Sequence, residues 1–103
     1  MSFTVRFAPE VAAQLQAIED FISRTQATTT AAAFVDAIVS HCENLATFPL
    51  RGIRRDDLLP GLRISHYRGR TIIAFTVDTP ASVVSILGVY YGGRDYDAVI
   101  VGA

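Results

Sequence analysis

Two apolar runs, Thr71–Val77 and Val83–Tyr91, are joined by a short segment containing Asp78-Thr79-Pro80-Ala81, and that brevity constrains the chain more than anything else in it. A parallel crossover needs a dozen or more residues, so these runs must return on each other as antiparallel strands. Asp, Thr and Pro suit the turn between them. The first run is almost unbroken in apolar residues, as a central strand requires. The same reasoning ties Leu62–Tyr67 to Thr71–Val77 through a turn near Arg68-Gly69. The C-terminal half therefore reads as a three-stranded antiparallel meander.

Upstream, residues 2–8 alternate apolar and polar, and Phe3, Val5 and Phe7 share one face of a half-buried strand. Pro9 closes that strand and opens a helix, where its missing N–H costs nothing and Glu10 meets the positive helix end. Val11, Leu15, Ile18 and Ile22 then recur at helical spacing and predict a first helix to about Thr25. Thr28-Thr29-Thr30 offers an N-cap for a second helix. There Phe34, Ile38, Cys42 and Leu45 form the stripe, widened by Val35 and Phe48, and Pro49 and Gly52 end it. Residues 50–61 read as irregular. After Tyr91, Gly92-Gly93 turn the chain toward a helical turn and an apolar end, Val99–Val101.

The order is β-α-α-β-β-β in one α+β domain spanning 1–103: a helical hairpin packed on one face of a mainly antiparallel four-stranded sheet. The first strand is free to pair either way. The hairpin covers a single sheet face, so the other face is expected to be a docking surface.

Composition narrows the function classes. A single cysteine, Cys42, allows no internal disulfide and reads as a buried small hydrophobe in a reducing, cytoplasmic setting. No signal-like start and no run of membrane-spanning length is present, so no membrane role is expected. A net charge of -1 argues against a polyanion binder. All nine Lys/Arg positions are arginine, the residue suited to bidentate contact with carboxylate or phosphate. Half the residues are hydrophobic and mean hydropathy is +0.33, which points to an apolar patch that a partner covers.

Candidate chemistry is sparse. On the second strand Arg63, Ser65 and Tyr67 share one face, and Leu62 and Ile64 the other. With Arg68, Arg70, Tyr90, Tyr91 and Arg94 they are the side chains suited to holding RNA, with His66 and a tyrosine as proton movers. The plainer alternative is that His66 caps a hairpin and the tyrosines pack at the sheet edge. His41 reads as a polar surface residue of the second helix. Arg51, Arg54 and Arg55 face Asp56 and Asp57 in a balanced loop. No carboxylate pair at catalytic spacing, metal-ligand set or phosphate-binding glycine loop is found, and no cofactor is implied. Binding outweighs catalysis.

Several stretches resemble ParE-type toxins: Phe3-Thr4-Val5-Arg6-Phe7-Ala8-Pro9-Glu10, Phe34-Val35-Asp36-Ala37-Ile38, Leu45-Ala46-Thr47-Phe48-Pro49, the run from Gly52 to Arg63, and Ile86 through Tyr96. They keep one register over nearly the whole chain. The resemblance implies the RelE/ParE superfamily, whose members share the fold just read. RelE-like members cut mRNA on the ribosome, and ParE-like members poison DNA gyrase. An antitoxin encoded alongside, ParD-like for ParE, wraps the toxin in a hetero-oligomer and carries the operator-DNA contacts. The ribonucleases of the family bear a basic and aromatic set on the sheet; here lysine is absent, and the last strand carries Gly88 and Tyr90. The Gly-Gly-Arg-Asp-Tyr ending is ParE-like. The expectation is a gyrase-directed toxin without catalysis of its own. Its antitoxin or target contacts are then Arg54, Arg55, Leu58, Leu59, Arg63, Tyr90, Tyr91, Arg94, Asp95 and Tyr96. The rivals are an mRNA endonuclease using Arg63, His66, Arg70 and Tyr90, and a non-toxic relic that only binds antitoxin.

Overall fold

The structure, a computed structural model, describes residues 2–68 and 70–92. Its elements are β1 (Thr4–Phe7), α1 (Pro9–Ser23), α2 (Thr28–Glu43), a 3-10 turn (Asn44–Ala46), β2 (Ile53–Arg54), β3 (Leu62–Tyr67), β4 (Thr71–Asp78) and β5 (Val83–Tyr91). The α+β class and the helical hairpin are as read from sequence. The sheet has five strands rather than four, in the order β1-β5-β4-β3-β2. The addition is β2, two residues inside the segment read as irregular. It is too short for any alternation pattern to reveal, and it pairs antiparallel with β3 through Ile53↔Ile64 and Arg54↔Arg63. The open question of β1 is resolved as a parallel pairing with β5.

Helix boundaries follow local chemistry. Pro9 is the first residue of α1, and the helix ends at Ser23, two residues before the predicted stop. The threonine cap is corrected. The Ala27 carbonyl already accepts from Ala31 N–H at 3.1 Å, so Ala27 is the N-cap and Thr28–Thr30 lie inside the first turn.

Val11, Ile18 and Ile22 of α1, with Ala31, Val35, Ile38 and Cys42 of α2 and Leu45 beyond it, bury against Ile73, Phe75, Val84, Ile86 and Val89 of the sheet. Completely enclosing a side chain such as Ile38 contributes about 2–3 kcal/mol. Phe48, placed in the α2 stripe by its spacing, is 67% exposed, because the 3-10 turn carries it off the helical period.

A bulge in β5 sets which side chains meet that core. Ala74 pairs with Gly88 and Phe75 with Ile86, leaving Leu87 as an extra residue. Before it, Val84 and Ile86 face the helices; after it, Val89 does. Tyr90 is thereby turned to the opposite face. There Leu62, Ile64, Ala74 and Tyr90 form a second buried cluster, with Leu58, Ile72 and Leu87 packed against it. The expected open sheet face is therefore closed over its middle strands. Apolar alternation on β3 gave the right split of side chains between faces but could not reveal that Leu58 folds back over one of them.

Candidate partner-binding surface

The loop after β2 is built by its own backbone. Leu58 and Leu59 N–H groups donate to the Arg55 carbonyl, and Leu62 N–H donates to that of Leu59. Asp56 locks the turn by accepting from Gly61 N–H at 2.9 Å. The balanced charges pair as two forks: Arg54 Nε and Nη2 both reach Asp56 Oδ2 at 3.1 Å, and Arg55 reaches Asp57 at 3.0 and 2.9 Å. The Gly61 N–H chiefly, then Arg54, lowers the Asp56 pKa, and the Arg55 side chain chiefly lowers that of Asp57. Both carboxylates are exposed, so the pairs shape the loop more than they stabilise the fold.

The sequence-derived partner residues divide. Leu59 is 40% exposed, whereas Leu58 packs into the second cluster and Tyr90 is 6% exposed. Tyr91 is half-buried on the helix side, its ring edge-on to Phe21 at 6.0 Å and Phe34 at 5.5 Å. Arg94, Asp95 and Tyr96 lie outside the described residues. The residues of the ribonuclease alternative do not share one place. His66 is exposed, and it lies with Ile72 and Tyr90 in one row across β3, β4 and β5. Two strand spacings, about 10 Å, separate it from Tyr90. Arg63, at an odd position of β3, faces the helix side. Arg70 is exposed at the entry to β4.

A cluster that sequence reasoning missed sits between α2 and β3. His41, read as a plain surface residue, is half-buried; its Nε2 lies 3.2 Å from Ser65 Oγ, and its ring lies 4.7 Å from that of Tyr67. Burial chiefly, and the Arg51 charge in addition, hold the imidazole below its usual 6.5. Arg68 covers the Tyr67 ring at 5.5 Å. Arg63 Nη1 donates to the Arg51 carbonyl at 3.4 Å. The only sequence signal was position: His41 flanks the buried stripe, one residue before Cys42. Its partners lie 24 or more residues away, where local periodicity is silent. Phe48, Leu50 and Ile53 stand 57–67% exposed along the neighbouring segment.

At the other end of the sheet β1 covers only Val83–Ile86 of β5. Beyond it the Gln14 Oε1 accepts from Val89 N–H at 2.8 Å. A cleft of about 430 Å³ opens there, lined chiefly by Ala13, Ala17, Phe21 and Tyr91. Among the described residues no group of three His, Cys, Asp or Glu is placed to hold a metal, and no helix is long and apolar enough to cross a membrane.

Residues 5–96 match the sequence model of the ParE toxin of type II toxin–antitoxin systems. Three solved structures share the fold. A chain of the chromosomal ParDE TA system from P. aeruginosa superposes with a TM-score of 0.73 at 23% identity, over 87% of this chain and 96% of that one. A chain of the RelBE2 toxin–antitoxin complex of Mycobacterium tuberculosis gives 0.64 at 23% identity, over 89% of this chain and all of that one. A double arginine-to-alanine variant of the E. coli toxin RelE in the free state gives 0.64 at 10% identity, over 99% and 96%. No curated protein sequence matches.

Proposed function

The chain belongs to the ParE toxin family of type II toxin–antitoxin systems, and from that membership we propose that it is a gyrase-directed toxin held inactive by a ParD-like antitoxin. The two form a hetero-oligomer in the cytoplasm, and operator DNA is contacted only through the antitoxin. The chain acts by gripping proteins and turns over no substrate of its own.

One observation supports this reading over mRNA cleavage: Arg63 and the proton movers are kept apart by the sheet. A ribonuclease needs a base, an acid and a cation within hydrogen-bond reach of one phosphate. Here Arg63 faces the helix side, while exposed His66 and buried Tyr90 stand on the other face, about 10 Å from each other by strand spacing. The antitoxin is assigned the surface of Phe48, Leu50, Ile53 and Leu59 flanked by Arg54 and Arg63, where exposed apolar area adjoins charge. Tyr91, at the cleft beside α1, offers a second contact, and Arg94, Asp95 and Tyr96 extend the set. Leu58 and Tyr90 support it from within, and Arg55 through its pair with Asp57.

Induction of the chain without antitoxin is the test. Growth arrest with gyrase trapped on cleaved DNA is the expected outcome. Rapid ribosome-dependent mRNA cleavage would replace this reading with the endonuclease, and unimpaired growth would replace it with the antitoxin-binding relic.

A further inference from the structure

The corner formed by the end of α2, the segment around Arg51 and β3 holds positive charge that the described residues do not neutralise. Arg54 and Arg63 stand directly opposite each other across β2 and β3. Like charges so placed weaken a sheet unless something compensates them. Asp56 answers Arg54 at 3.1 Å, and its other oxygen is occupied by Gly61 N–H. Arg63 and Arg51 have no carboxylate partner among the described residues. Arg63 gives one N–H to the Arg51 carbonyl, which leaves the rest of its planar donor fork available. Among the described residues no acidic side chain acts on His41 either; the charge that shifts it there is that of Arg51.

The inner wall is polar and held in place. Ser65, 7% exposed, is linked to His41 at 3.2 Å. The His41 ring leans on Tyr67, whose ring also carries Arg68. Arg63 shares its strand face with Ser65, and the Arg51 charge acts on His41; guanidinium, hydroxyl and imidazole together suit the acceptor pattern of a carboxylate. The outer rim is apolar, with Phe48, Leu50 and Ile53 all more than half exposed. Arginine among exposed aromatic and aliphatic side chains is the composition of a protein interface. A nucleic acid would ask for a longer basic track, and here Arg54 and Arg55 are already paired within a chain of net charge -1.

We infer that this corner is a carboxylate-binding site, in which Arg63 and Arg51 receive an Asp or Glu side chain from an acidic, partly apolar segment of a protein partner. His41 and Ser65 form its inner wall, and Phe48, Leu50 and Ile53 seat the apolar neighbours of that acid. The source of the segment rests on the antitoxin reading; the chemistry of the site does not.

The test titrates the isolated chain with N-acetylglutamate in carboxylate- and phosphate-free buffer, following the His41 ring and the Ser65 amide by NMR. Saturable shifts with a millimolar Kd are expected, together with a rise in the His41 pKa, because an arriving carboxylate favours the imidazolium. N-acetylglutamine should leave both signals in place. Arg51→Ala, a change at an exposed residue, and Arg63→Gln should each weaken binding about tenfold, as expected when a charged hydrogen-bond partner is lost. Unsaturable shifts, equal response to the glutamine analogue, or wild-type binding by both arginine variants would overturn the assignment. Tighter binding of inorganic phosphate would overturn it in favour of a phosphate site. A chain that binds the probe yet leaves growth unimpaired retires the toxin reading and keeps the site. Growth arrest by a chain that ignores the probe does the reverse.

Discussion

Gly52 and Gly61 bracket β2 and its loop with nearly the same backbone angle, φ +83° and +81°, in different surroundings. A Cβ on Gly61 meets nothing within 4 Å, whereas one on Gly52 would lie 2.5 Å from the Ile64 carbonyl oxygen of β3 and 3.1 Å from its carbon. Alanine at either position bears the cost of the left-handed conformation, about 1–2 kcal/mol, offset by about 0.4–1 kcal/mol from a stiffer unfolded chain. Gly61→Ala should therefore lose about 1 kcal/mol. Gly52→Ala must in addition push β3 and the segment leading into β2 away from each other by roughly 1 Å, an overpacking cost of about 1–3 kcal/mol, for a total of about 2–4 kcal/mol. In a domain of this size each kcal/mol corresponds to roughly 4–8 °C in Tm. Urea denaturation followed by far-UV circular dichroism, with an unchanged slope, gives the comparison directly. Equal losses for the two variants would refute the claim that close approach to Ile64, and not backbone angle alone, requires glycine at residue 52.

Other consequences follow from burial and charge. Ile38→Ala removes a side chain with no exposed surface and should cost about 2–5 kcal/mol in the same urea assay; a loss under about 1 kcal/mol would mean the helix–sheet interface is not the main core. Gly88→Ala would set a methyl 2.6 Å from Cζ of the Tyr90 ring, forcing the tyrosine out of the second cluster, so the near-UV dichroism of tyrosine should change along with stability. Because burial and Arg51 hold His41 below 6.5, the unfolded chain takes up the proton first as pH falls. The stability due to this group is complete above about 6.5 and is lost as pH drops through the lower folded value. His41→Gln should flatten that region of the curve, and an acid limb identical to wild type would dismiss the effect. The Cys42 thiol, fully buried with its pKa pushed up to about 12 by burial and then by Glu43, should be alkylated at mildly alkaline pH only as fast as the chain opens; rapid labelling of the folded chain would contradict its placement.

The fold was legible where periodicity carries information. Val11, Ile18, Ile22 and Ile38 announced the helical hairpin, and the short connections announced the meander. What stayed hidden depends on contacts distant in sequence. The two residues of β2 have no pattern of their own; they are a strand only because β3 lies beside them. The fold-back of Leu58 over Leu62 and Ile64 depends on the Arg55–Leu59 backbone turn, which a run of charged and apolar residues does not specify. His41 looked like ordinary surface because the residues that half-bury it, Ser65 and Tyr67, arrive from another element. Arg63 was singled out from its strand position, but whether it faced helices or solvent required knowing which sheet face the hairpin covers.

The extra residue at Leu87 has a bearing on how chains of this kind diverge. It lets one strand serve two interiors, with even-numbered side chains inward before it and odd-numbered ones after it. Deleting Leu87 itself would make the ladder regular and leave Val89 inward, whereas deleting a residue just past it, such as Val89, would drive Tyr90 beneath the helices and exchange small for large there. Substitution can proceed gradually along β5, but a length change inside it is tolerated only at the bulge. Gaps among relatives should therefore collect at the bulge or at the ends of this strand, and an alignment that opens one elsewhere within it is pairing an inward residue with an outward one.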